Sequence, residues 1–306
     1  MEMGLTETLR WQGENMTRTR KSIWRAALLF GVLVIAAGAA LGQTGQGQSG
    51  QQSPQQSPSK PGTQQQQPPL SLEKLNPPTA PVANPAEDAA YQAFVKAANG
   101  AEKIQAGEAF LQKYPQGRYC PAVYSTLMTQ YLMSGQVDRT IDAGKKAIEL
   151  NPNDMDALAV MGQVLARQQA GPDAAKNLDA AEQYSKKALE LVPTSVKPAG
   201  ASDEAFNQTK TLLLAMAHSG LGLVYLRRQK FPDAVSELQA AVKDTKDPDP
   251  VDYYLLGLAD EKTSHYDDAV AAFTKCAGIP GPIQARCTSM IDQAKKLGTT
   301  ELSAPK

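Results

Sequence analysis

The sequence predicts an all-α chain, a stack of antiparallel helix pairs behind an N-terminal stretch that builds no core. Three observations predict it. From Pro85 onward, apolar residues recur three and four apart, Gly, Pro, Asn and Asp punctuate the pattern, and no stretch alternates with period two for the length of a strand. Small residues return in register about three dozen residues apart. Residues 43–84 are mostly Gln, Pro, Ser and Gly, which bury too little apolar surface to offset their ordering entropy.

Taken in chain order, residues 1–15 read as an upstream extension, and Met16 is the better start. Arg18, Arg20, Lys21 and Arg25 then form a basic region, followed by an uncharged apolar run of 16 residues, 26–41, that ends in small residues. Residues 16–42 therefore have the layout of a secretory signal peptide. The rival reading is an uncleaved membrane anchor, for which the run is short of the roughly 20 residues a span needs. Either reading places the rest of the chain outside the bacterial cytoplasm, in the periplasm or anchored to the membrane and facing it. Residues 43–84, with Pro68-Pro69 and Pro77-Pro78, read as a disordered Gln/Pro-rich linker with extended, solvated stretches.

The remaining chain repeats itself. Tyr124, Leu127, Met128 and Tyr131 are followed by Thr140, Ala147 and Pro152. Leu158, Met161, Gly162 and Leu165 are followed by Ala181, Ala188 and Pro193. His218, Leu221, Gly222 and Tyr225 are followed by Phe231, Ala234, Leu238 and Ala241. Tyr253, Leu256, Gly257 and Asp260 are followed by Tyr266, Ala269, Phe273 and Ala277. Gly222 and Gly257 stand 35 residues apart. The physical roles follow from size. Gly162, Gly222 and Gly257 let a second helix come close, Ala181, Ala234 and Ala269 do the same from the other side, and the aromatics fill the gaps between pairs. Pro152 and Pro193 stop their helices.

This pattern resembles the tetratricopeptide repeat (TPR), whose period is 34 residues. The resemblance implies an α-solenoid, a right-handed superhelix of antiparallel helix pairs. Its units are 121–154, 155–195 with an insertion at 171–177, 203–248 with an extended first helix, and 249–281. Residues 85–120, with helices expected at 91–99 and 101–114, resemble a divergent TPR-like repeat. Residues 282–298 read as a capping helix whose outer side carries Gln284, Arg286, Asp292, Lys295 and Lys296.

In such proteins the first helix of each pair lines a concave groove. The resemblance places Ser125, Thr129, Met133, Gln163, Arg167, Leu223, Arg227, Tyr254, Leu258 and Lys262 there, facing a partner peptide or helix. Some members clamp a terminal carboxylate with paired Lys and Asn, and Ser125 and Thr129 in the first such slots give that clamp no support. The function implied is a protein–protein interaction scaffold of the bacterial cell envelope, the alternative being an accessory structural subunit of an envelope assembly or secretion complex.

Composition bounds the remaining classes. The 31 basic and 31 acidic side chains cancel, which gives nucleic acid no support as a partner. Membrane contact is expected only through the N-terminal segment, if that is retained. No nucleophile elbow, phosphate loop, dinucleotide fingerprint or metal-ligand spacing occurs, so no enzyme activity, metal or cofactor is expected. Of Asp138, Asp142, Asp173, Asp267 and Asp268, most read as acids at second-helix starts. His218 reads as a half-buried core residue and His265 as a turn residue. Of three cysteines, Cys276 and Cys287 flank a Gly/Pro turn that brings two helix ends together, which favours a disulfide over two buried thiols and leaves Cys120 free.

Overall fold

A computed structural model describes residues 84–302, apart from 169–171 and 244. The expected extension, signal or anchor segment and linker up to residue 83 lie outside the described residues. Among the described residues there are eleven helices and no strand. They are α1 Pro85–Lys96, α2 Ala101–Lys113, α3 Cys120–Met133, α4 Val137–Leu150, α5 Met155–Arg167, α6 Ala174–Thr194, α7 Asp203–Arg227, α8 Phe231–Lys243, α9 Pro250–Lys262, α10 Tyr266–Ala277 and α11 Gln284–Leu302.

Each helix begins and ends for local reasons. Asp154, Ser202 and Asp249 are N-caps whose side chains accept from Ala157, Ala205 and Val251 N–H, satisfying donors that the helix itself leaves open. Three first helices close the same way. Gln136 N donates to Tyr131 O, Lys230 N to Tyr225 O and His265 N to Asp260 O, each at 2.9 Å. The residue before each donor is left-handed: Gly135 at φ 73°, Gln229 at 59° and Ser264 at 60°. This six-to-one closure turns the chain sharply into the second helix of the pair.

The pairs hold together by matched volumes at one crossing. Gly222 of α7 faces Leu238 of α8, and a Cβ there would stand 2.6 Å from Leu238 Cγ. Gly257 of α9 faces Phe273 of α10 in the same way, 2.6 Å from Cε1. In α3 the equivalent residue is the large Met128, and the small one has moved across to Gly144 of α4, against which the Met128 and Met161 sulfurs pack. At α5 and α6 both partners are small, Gly162 and Ser185. There α7 closes in from outside, with Gly220 against the Gly162 backbone. Ala181, Ala234 and Ala269 are wholly buried, as their size requires. A second, smaller core of Leu158, Ala159, Ala188, Val192, Leu213 and Ala217 joins α5, α6 and the long α7.

The first two helices carry an aromatic core. Tyr91 stacks on Tyr119 at 3.9 Å, with Phe110 edge-on to both. Lys103 Nζ donates to the carbonyls of Phe94 (2.9 Å) and Val95 (2.7 Å), closing the end of α1.

Several boundaries differ from expectation. Helix α1 starts at Pro85 rather than near 91, because Pro at a first helical position forfeits no hydrogen bond. Helix α6 is already formed at Ala174, so the end of the expected insertion is helix rather than turn. Pro193 lies inside the last turn of α6, which continues to Thr194. Helix α11 runs to Leu302, beyond the expected end at 298. None of the described helices is long and apolar enough to cross a membrane.

Candidate interaction face

Hydrogen bonds tie each first helix to the next, so these helices stand side by side in a row. Ser125 Oγ of α3 donates to Asp154 at the head of α5 (3.2 Å). Gln163 Nε2 of α5 donates to Ser219 Oγ of α7 (3.1 Å), and Ser219 donates to Asp252 of α9 (2.5 Å). Arg167, ending α5, pairs with Asp249 at 2.8 Å. Arg286 Nε of α11 donates to Tyr254 OH of α9 (2.8 Å).

The row decides which expected residues present a surface. Thr129, Met133, Gln163, Arg227 and Leu258 are partly exposed and Lys262 is exposed. Leu223 and Tyr254 are not on the face: they are 1% and 2% exposed and belong to the core. Their helices meet neighbours on both sides, so an i, i+3/i+4 stripe that would face solvent in an isolated pair is covered in the stack. Ser125 and Arg167 are half-buried, with Ser125 Oγ bonded to Asp154 and Arg167 Nη2 to Asp249. Arg227 carries no ion pair among the described residues: its Nη1 donates to the Gln168 carbonyl, and burial lowers its pKa. Arg286 is not an outer-face residue of the cap, because its guanidinium turns inward to Tyr254.

The acids and histidines occupy structural places. Asp138, Asp267 and Asp268 sit in first helical turns and Asp173 at the N-cap of α6, where the helix dipole favours them. Asp142 lies farther along α4, exposed. His218 Nδ1 is 2.7 Å from Glu237 Oε2, and His265 Nδ1 is 2.9 Å from Thr263 Oγ1. Among the described residues no group of His, Cys, Asp and Glu could hold a metal ion. The cysteines are as expected: Cys276 and Cys287 are bonded, with Cα atoms 5.8 Å apart, and Cys120 is a buried free thiol.

Sequence reading missed Asp249 and Asp252 as the hub of the row. The Asp-Pro step at 249–250 marks a helix start but not the neighbour that its carboxylate reaches.

Four helix pairs thus share one crossing, and three of them share one chain-reversing closure. The described residues have the fold of a tetratricopeptide-repeat stack.

No protein-family model matches the chain. ALBINO3-like protein 3, a mitochondrial protein of Arabidopsis thaliana, is 28% identical over 140 residues, which is 45% of this chain and 22% of that protein. Among solved structures, a thermophilic TPR protein of Thermus thermophilus is 18% identical, covering 68% of this chain and 94% of that one, with a TM-score of 0.41. The MamA protein is 22% identical, covering 59% and 89%, with a TM-score of 0.37. Yeast Tom70 is 13% identical, covering 70% and 50%, with a TM-score of 0.34.

Proposed function

We propose that this chain is a non-catalytic protein–protein interaction scaffold, exported to the bacterial cell envelope, that holds a partner peptide or helix against its row of first helices. The observation carrying this reading is the row itself. Side-chain hydrogen bonds align α3, α5, α7, α9 and α11. Along that row Thr129, Met133, Gln163, Leu258 and Lys262 remain accessible. A face mixing apolar and polar groups over several helices suits an extended or helical segment, which meets anchors spaced along its length. Arg227 is the cation to which a partner carboxylate would bind. Arg167 is already paired with Asp249, so its charge serves the stack.

Photo-crosslinking side chains placed in cells at Thr129, Met133, Leu258 and Lys262 test this, with Lys145 and Ala271 on second helices as controls. The same protein should be captured from several first-helix positions and not from the controls. R227E should reduce that capture while the helical circular dichroism signal persists. Equal capture from both sets of positions would remove the reading.

A further inference from the structure

We propose that Arg167, Asp249 and Asp252 form a proton-dependent latch between the end of α5 and the start of α9, one guanidinium being shared between two carboxylates. This inference concerns the stack alone and does not depend on the partner reading above.

Three features of the geometry carry it. Arg167 spends one nitrogen, Nη2, on Asp249 Oδ2 at 2.8 Å, while its Nε is buried with no hydrogen-bond partner. Both Asp249 oxygens are already engaged, Oδ2 by Arg167 and Oδ1 as the cap of the Val251 N–H. Asp252 is 4% exposed and has accepted one hydrogen bond at Oδ1, from Ser219, which is itself held by Gln163. The guanidinium with this orphaned buried donor is bonded to one acid, Asp249, and interacts electrostatically with a second, the half-committed Asp252.

Charge counting sets the two states. With both carboxylates ionised, one guanidinium faces two negative charges in a place with little water. With Asp252 protonated, the group is neutral. Burial first, then the like charge of Asp249, push the Asp252 carboxyl well above the usual carboxylate range, against the opposing pull of Arg167 and of the Ser219 hydroxyl. Those are the groups that act on its charge from α5, from α7 and from the segment leading into α9. Helices α8 and α10 bring no charged side chain that does so.

In the protonated state Arg167 pairs with Asp249 alone, which is the pairing the structure shows. When Asp252 releases its proton to solvent, its second oxygen becomes the acceptor that Arg167 Nε lacks. The guanidinium then bridges both acids and draws α5 toward α9 across α7. The proton therefore selects between two pairings of one cation, at the centre of the row of first helices.

The test is a carboxyl-carbon and Arg Nε NMR titration of the full chain between pH 4 and 9, with resonances assigned through D252N and R167Q. Asp252 should titrate more than one pH unit above the ordinary value of about 3.9. The Arg167 Nε resonance should move with the same midpoint. R167Q should raise the Asp252 midpoint further and D249N should lower it. S219A, which leaves both acids and the cation in place, should raise it. An ordinary Asp252 midpoint, or an Arg167 Nε resonance that ignores the Asp252 transition, would overturn the latch.

Discussion

Gly220 of α7 meets the backbone of Gly162 of α5: a Cβ on Gly220 would stand 2.7 Å from the Gly162 carbonyl carbon and 2.8 Å from its oxygen. Both partners are main chain, so neither can swing aside. G220A gains about 1 kcal/mol of helix propensity, and the overpacking cost of about 1–3 kcal/mol outweighs it. We expect a net loss of stability in urea unfolding of G220A. G281A is the control, because a Cβ there meets nothing within 4 Å. Equal stability of the two variants would mean that α5 and α7 do not approach this closely.

That crossing shows what the sequence could and could not convey. Gly162, Gly222 and Gly257 recur in register, and periodicity alone predicts their role. Gly220 is out of register and looks like an ordinary helix residue. It matters because Ser185 stands where Leu238 and Phe273 stand in the later pairs, a vacancy that α7 fills. Met128 and Gly144 are the same lesson reversed: the small residue changed helices, so the pattern lapses in sequence while a large residue still packs against a small one. The row of polar bonds was less legible still. Which carboxylate Arg167 or Ser219 reaches depends on how three pairs stack, and no local spacing encodes that. The buried Leu223 and Tyr254 were misplaced for the same reason.

The three equivalent closures invite a backbone prediction. Gly135 adopts φ 73° without steric cost, whereas Gln229 and Ser264 hold nearly the same angle with a Cβ in place. Q229G and S264G relieve that contact and also make the unfolded chain more mobile, and the two effects oppose each other. With relief of about 1–2 kcal/mol against an entropy loss of about 0.4–1 kcal/mol, each variant should be slightly more stable than the parent. Thermal unfolding checks it, and a drop in Tm for both would show that the left-handed angle is not strained here.

The bond between Cys276 and Cys287 joins the end of α10 to the first turn of α11, and both sulfurs are buried. Closing so short a loop stabilises the chain by about 2–3 kcal/mol. C276A/C287A should therefore lower stability by at least that amount, with hydrogen exchange rising first in α11. Unfolded without reductant, the parent should present one titratable thiol, Cys120, and with reductant three. Three thiols without reductant would show that the bond does not form.

The last repeat also contributes to how stability depends on pH. Asp260 is 2% exposed, and burial, then the like charge of Asp268, push its carboxyl up to about 6, with His265 opposing. Burial likewise pushes Glu261 up to about 7, against Lys262 and the Gln293 side chain of α11. Both values lie above those of the unfolded chain, about 3.9 and 4.3. Between about pH 4 and pH 7, then, the folded state holds protons that the unfolded state has released. Stability should fall as pH rises through that window and level off above it. Carboxylates held low, such as Glu182 beside Lys186 and Arg228, act in the opposite sense, and their contribution fades only as pH falls toward their own titration. D260N/E261Q removes both raised groups while keeping their shape. Urea unfolding at pH 5 and pH 8 should show the parent less stable at pH 8, with the difference reduced in the double variant. An undiminished difference would place the pH-sensitive acids elsewhere in the stack.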